Sequence, residues 1–283
     1  MVTSDKIEFE NKMKAADKIK PSLKGIPETL LIPLWARAVE KEKDKPIMID
    51  EKAAELIERI DYDFSKFDKA KLSQIGVSVR TELFDSAVYS FIENHRNSVV
   101  VNFGAGLDTR YFRLKAKPSI WYELDLPEAI ALRRRLIPEE NNYRFIEKSV
   151  FDFSWRKEID SAGKPVLFIA EGLFMYFKER ELIPLLRRIA DNYTNSEMLF
   201  EMLCPLMVGK SSIHDSVSKM NNSEFKWGIK DSKIIETWHK GIKFLEEWNY
   251  FDYHKDRWKL FGTIARLPLI RPLLSNRLVH LSF

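Results

Sequence analysis

From Ser98 onward, short β-branched runs alternate with amphipathic stretches at helical spacing. That alternation restricts the chain to an α/β fold around a mostly parallel sheet covered on both faces. Val99-Val100-Val101-Asn102-Phe103 stops at Gly104, as a buried parallel strand does. Ile120 to Asp125 reads as the next strand, and Pro127 then takes the first helical position, where its missing N–H costs nothing. Arg144-Phe145-Ile146, Val166 to Ala170 and Met198 to Leu203 continue the series. Ile183, Leu186, Ile189 and Ala190 mark a helix before the last of these, with Pro184 interrupting its start. Lys243-Phe244-Leu245 and Leu278 to Phe283 are late strands, the second a terminal segment of the kind usually tied into a sheet. The sum is a Rossmann-like, doubly wound, seven-stranded sheet.

Upstream, roughly from Thr29 to Asn94, the periodicity is helical. Ala53, Leu56, Ile57 and Ile60 form one apolar face behind Asp50, a candidate cap. Leu83, Phe84, Ala87, Val88, Phe91 and Ile92 form another behind Thr81, and Tyr62-Asp63-Phe64-Ser65 reads as the turn between them. With no repeat or linker in view, the expectation is a single domain over 1–283. Residues 1–95 would be a helical extension or lid, and 96–283 the α/β core.

Net charge is +4, from 46 basic and 42 acidic residues, too balanced for a dedicated nucleic-acid binder. Arg133-Arg134-Arg135 and Arg187-Arg188 lie in helical patterns interleaved with acids, which reads as solvated helix faces. No apolar run approaches the ~18–20 residues that span a bilayer, and Met1 to Lys20 carries charge in place of a signal-peptide core. The one cysteine, Cys204, follows an apolar run and precedes Pro205, a setting for an inert buried thiol. These features point to a reducing, cytoplasmic location. None of the five histidines sits at metal-ligand spacing, so no metal site is expected.

The segment from Val99 to Arg113 carries the chemistry. A strand runs into Gly104-Ala105-Gly106, a turn that lets backbone approach a ligand. Asp125 follows Gly106 by 19 positions at the end of the next strand, placed for ribose hydroxyls. Thr109 stands where a dinucleotide fingerprint wants a third small residue, which disfavours a nicotinamide dehydrogenase and suits a ligand without a pyrophosphate. Glu171 ends the Val166–Ala170 strand, on the side of an open sheet where ligands bind. A helix N-terminal acid is the plainer account of it. A binding module without turnover also remains open on these residues alone.

The strings VVVNFGAGLDTRYFRL, WYELDLP, SVFDFSW and FIAEGLFMYF resemble the leucine carboxyl methyltransferase family, in its bacterial and fungal polyketide-type O-methyltransferase branch. GIPETLLIPLWARAVE, VSVRTELFD and NRLVHLSF extend the likeness from about Gly25 to Phe283. The resemblance implies S-adenosylmethionine as donor and a small polyketide-like phenol or carboxylate as acceptor, the alternative being a protein's C-terminal carboxylate. It implies that Arg80 pairs with the donor's carboxylate and that the Gly104 turn, with Gly106, approaches its methionine part. Asp125 would hold the ribose, Ser149 and Val150 would flank the adenine, and Glu171 would sit near the amino group. Arg37 falls where the family has a second basic residue facing the carboxylate. Two departures stand out: Asn102 replaces an acid before the glycine turn, and Ser149 replaces one near the adenine, with Asp152 as a possible stand-in. Tyr176 is the residue expected nearest the acceptor. No catalytic base is assigned, and the Met207–Tyr253 segment is expected to contribute to the acceptor side.

Overall fold

The computed structural model describes residues 18–21, 26–211, 215–217 and 224–283. The charged stretch ahead of Lys18, Gly25 and His214 lie outside them.

Seven strands form one sheet: β1 (Val99–Phe103), β2 (Ile120–Asp125), β3 (Tyr143–Glu147), β4 (Val166–Ala170), β5 (Ser196–Met202), β6 (Lys243–Asn249) and β7 (Arg277–Ser282). Their order is β3-β2-β1-β4-β5-β7-β6. β1 to β5 run parallel, and β7 inserts antiparallel between β5 and β6. Every residue of β1 and β4 is buried, which is why both read as unbroken apolar runs. The alternation of side chains divides the core. Val100, Ile169 and Leu199 face the N-terminal helices; Val99, Val101 and Phe168 face the opposite layer with Leu186 and Met198. Lys243, Glu246 and Glu247 place charge on the edge strand β6.

The N-terminal layer comprises α1 (Leu31–Lys41), α2 (Glu51–Arg59) and α3 (Lys71–Asn94). Asp50 caps α2, accepting from the Ala53 N–H at 2.8 Å. Tyr62 to Ser65 leads into a short 3-10 segment, Phe64–Phe67. Thr81 does not start a helix: α3 begins ten residues earlier and Thr81 is buried in its interior. The first turns of α3 bury Ser73, Gln74 and Ser78, so no apolar stripe announces them.

On the same face of the sheet as the N-terminal helices, α4 (Pro127–Leu136) corrects a second expectation. Arg134 and Arg135 are exposed, but Arg133 is fully buried. Its guanidinium donates to the carbonyls of Gly106 at 2.7 Å and Asp108 at 2.6 Å, to Glu123 at 2.6 Å, and to the Tyr143 hydroxyl. Arg187 and Arg188 are exposed on α5 (Glu179–Asn192), which carries Pro184 within it rather than ending there. Among the described residues no helix is long and apolar enough to cross a membrane.

Candidate functional site

A cavity of about 800 Å³ opens at the carboxyl ends of β1, β2, β4 and β5. It straddles the point between β1 and β4 where the strand order reverses, the usual ligand crevice of an open α/β sheet. All eight site residues singled out above line it: Arg37, Arg80, Gly104, Gly106, Asp125, Ser149, Val150 and Glu171.

The glycine turn forms one end. Gly104 and Gly106 both have positive φ, +62° and +47°. A Cβ on Gly106 would lie 2.9 Å from that of Leu30, so this turn tolerates bare backbone only. The Gly104 N–H donates to the Leu124 carbonyl at 2.8 Å, which ties the turn to β2. Asp125 completes the tie: its carboxylate accepts from the Gly106 and Leu126 N–H groups, each at 2.7 Å. Burial raises the Asp125 carboxyl above its ordinary range, and the two N–H donors offset that only in part. Val150 is buried in the wall beside this end, and the Ser149 hydroxyl accepts from the Phe151 N–H at 3.3 Å. Asp152 is no stand-in at this wall. It is exposed, accepts from the Ser154 N–H at 3.1 Å, and does not line the cavity.

Along the floor runs a charged network that the sequence only partly disclosed. Arg80, projecting from α3, donates Nε to Glu171 at 2.8 Å and Nη1 to Glu201 at 2.7 Å. Arg110 reaches Asp85, Asp108 and Glu171. Arg113 reaches Asp50, Asp85 and Asp108. Arg37 donates to Asp50 and to the Leu107 carbonyl, both at 2.9 Å. Burial works against Glu171 and Asp108 as carboxylates, but Arg80 and Arg110 hold Glu171 below the usual range and Arg110 and Arg113 hold Asp108 well below it. Asn102 also finds its explanation here. Its amide bridges Asp108 at 3.1 Å and Glu123 at 2.9 Å, where an acid would set a third carboxylate beside them. Burial pushes Glu123 up to about 7 against the pull of Arg133, Asn102 and Tyr143.

Arg110, Arg113 and Glu201 escaped the sequence reading. Arginines spaced by three in a short helical turn resemble a solvated face, and nothing local reveals partners sixty residues away.

Beyond Glu171 and Glu201 the cavity becomes aromatic and aliphatic, lined by Tyr176, Leu203, Tyr250, Phe251, Trp258 and Leu274. Tyr176 is buried there, and burial raises its hydroxyl. Cys204 is buried too, its thiol pushed up by desolvation.

A family model described as leucine carboxyl methyltransferase matches residues 31–190. The chain belongs to this family. It is 32% identical over 231 residues to the tetracenomycin polyketide synthesis O-methyltransferase TcmP of Streptomyces glaucescens, covering 81% of this chain and 85% of that protein. It is 31% identical over 252 residues to the S-adenosyl-L-methionine-dependent methyltransferase dpfgK of Gibberella zeae, covering 81% and 84%. Among solved structures, a duf574 family protein of Streptomyces avermitilis superposes with a TM-score of 0.56 at 8% identity, covering 88% of this chain and 96% of that one. That likeness carries the fold alone. The family match includes the glycine turn, Asp125, Arg80 and Glu171 and ends before β5, so this methyltransferase's Glu201 and Tyr250 lie outside it.

Proposed function

We propose that this leucine carboxyl methyltransferase family member moves the methyl group of S-adenosylmethionine to an oxygen of a small aromatic acceptor. One observation carries the reading: a single cavity joins a glycine–aspartate crevice, a zwitterion-matched pair of charges and an aromatic chamber, in that order across the sheet. The crevice offers bare backbone at Gly104 and Gly106 and a carboxylate at Asp125, the groups that accept an adenosine's ribose. Ser149 and Val150 border the adenine. Arg80 presents a guanidinium fork to the donor's carboxylate and Glu171 a carboxylate to its ammonium, with Arg37 as a second cation. The Arg80–Glu171 pair thus exchanges partners with a ligand that carries the same two charges.

The donor supplies an electrophilic methyl on a sulfonium. The protein's part is alignment and exclusion of water, and proximity alone contributes much of the rate of such a displacement. Tyr176, Phe251 and Trp258 provide flat, apolar surface for the acceptor. A small acceptor is supported by the apolar chamber and by the likeness to TcmP, an O-methyltransferase of polyketide synthesis. The single, buried cysteine fits a reducing, cytoplasmic setting.

The test is direct. Calorimetric titration should detect S-adenosylhomocysteine and no NAD, and mass spectrometry should detect methylated products from a panel of phenols and aromatic acids. Methylation of C-terminal peptides with no turnover of the small acceptors would replace this reading with the protein-carboxylate one.

A further inference from the structure

The strand ends facing the cavity form a row. Across the sheet come Asp125 on β2, Gly104 after β1, Glu171 after β4, and then Glu201 on β5. Continuing the register Ala170↔Phe200 sets Glu171 level with Glu201, one strand spacing away. The first three belong to the donor end as proposed above. Glu201 is the next group beyond the reacting end, where that end meets the aromatic chamber.

The charges isolate Glu201 further. Asp50, Asp85, Asp108 and Glu171 each touch two arginines. Glu201, among the described residues, pairs with one arginine, Arg80. Four guanidiniums (Arg37, Arg80, Arg110 and Arg113) therefore face five carboxylates, and Glu201 is the one left under-compensated. Tyr250 stands beside it, its hydroxyl fully enclosed and directed at the Glu201 carboxylate in a hydrogen bond short of good geometry. An enclosed hydroxyl so poorly bonded is costly to bury. Both residues line the cavity. The groups facing Glu201 are Arg80 from α3, Glu171 after β4, Tyr176 in the 3-10 turn that follows, and Tyr250 after β6.

We propose that Glu201, with Tyr250, is the base that takes the proton from a hydroxyl acceptor. This rests on the O-methyltransferase reading above. The acceptor O–H proton passes to the Glu201 carboxylate, directly or through the Tyr250 hydroxyl. The oxygen's electron pair forms the O–CH3 bond while the S–CH3 bond breaks, its electrons going to sulfur. The products are a methyl ether, S-adenosylhomocysteine and a protonated Glu201, which returns its proton to solvent after release. Burial raises the Glu201 carboxyl and Arg80 offsets only part of that, which favours proton uptake over an ordinary carboxylate's reluctance. The donor's carboxylate also competes for Arg80, and its arrival would loosen Glu201's one ion pair.

Full-length wild type, Glu201→Gln and Tyr250→Phe are compared on phenols graded from weakly acidic ones to nitrophenols already ionised at the assay pH. Melting curves and S-adenosylhomocysteine affinity are measured for each. Glu201→Gln should lose roughly 100-fold or more in kcat with weakly acidic phenols, only a few-fold with ionised ones, and should bind S-adenosylhomocysteine no more weakly. Tyr250→Phe should show the same trend at smaller amplitude. A loss equal across the series, or S-adenosylhomocysteine affinity weakened about tenfold in Glu201→Gln, would reduce Glu201 to a prop for Arg80 and overturn the proposal. If Glu201→Gln does not fold, Tyr250→Phe decides, since it leaves the Arg80 pair intact; a flat profile there also overturns it. Wild type that binds S-adenosylhomocysteine but methylates no hydroxyl acceptor removes the reading itself, and the base with it.

Discussion

Replacing Asp125 separates two roles of one carboxylate, the backbone tie the structure shows and the ribose contact proposed above. Each of its oxygens already accepts one backbone N–H, from Gly106 and from Leu126 at 2.7 Å, and the group is only partly exposed to the cavity. Remaining lone pairs face the space assigned to the ribose. Hydrogen bonds to an ionised group contribute about 1.5–3 kcal/mol. Asp125→Ala should therefore weaken S-adenosylhomocysteine by roughly 10- to 150-fold. It also strands two N–H groups, at about 1–3 kcal/mol each where water does not reach them, so the unliganded melting temperature should fall as well. Asp125→Asn keeps an oxygen for one N–H and turns an amide donor toward the other, so its affinity loss should be comparable and its stability loss smaller.

Acidity gives an independent handle on the same residue. Burial holds the Asp125 carboxyl above its ordinary 3.8, so ligand affinity should begin to fall on acidification at a pH where an exposed aspartate is still ionised. Asp125→Asn should lose that dependence. Calorimetry from neutral pH down through the acid range in which the fold persists, far below the melting temperature, reads both effects. If the alanine variant binds S-adenosylhomocysteine within about twofold of wild type while melting earlier, Asp125 merely pins the glycine turn and the donor crevice is misassigned.

Other outcomes follow from single positions. Gly106→Ala places a side chain at φ +47° and 2.9 Å from the Leu30 Cβ, so denaturant unfolding should show a loss of about 2–4 kcal/mol; unchanged stability would mean the turn relaxes freely. Glu123 is raised from 4.5 to about 7, so the native state binds the extra proton between those values and stability should fall as pH rises through that window, by up to about 3 kcal/mol. Glu123→Gln should flatten the curve, and urea unfolding at pH 5 and 8 with parallel changes in both proteins would refute the assignment. The Cys204 thiol, buried and raised, should react with a disulfide reagent only after unfolding; rapid modification of the native protein would contradict its burial.

How far sequence reaches into this fold depends on what each segment buries. β1 and β4 bury only apolar side chains apart from Asn102, so their limits could be read almost to the residue. α3 buries Ser73, Gln74, Ser78, Arg80 and Thr81 as well as Val77 and Phe84, and its apolar period shows only in the second half. Periodicity detects a face turned toward oil and misses one turned toward other buried polar groups. Gln74, for instance, bonds Glu40 at 2.5 Å, a partner thirty-four residues away on α1.

The same limit explains why the residues of the crevice were legible and the charged floor beneath them was not. Gly104, Gly106, Asp125 and Glu171 each break a local rule, a glycine or an acid at the end of a buried strand, and a broken local rule is visible without partners. Arg110, Arg113 and Arg133 break none, because an arginine in a helical pattern is ordinary until Asp85, Glu171 or Glu123 closes around it. Buried ion pairs seldom stabilise a fold more than apolar packing of the same volume. A chain that nonetheless sets four guanidiniums against five carboxylates in and behind one cavity wall gains orientation from them: Arg110 and Arg80 hold Glu171 from two sides, and Asp50 fixes Arg37 against the loop after the glycine turn. Such a lattice is suited to a ligand that carries separated charges of its own and must be held to within a fraction of an ångström for its methyl to meet an oxygen. The under-compensated member, Glu201, is then the place where that lattice is free to accept a proton.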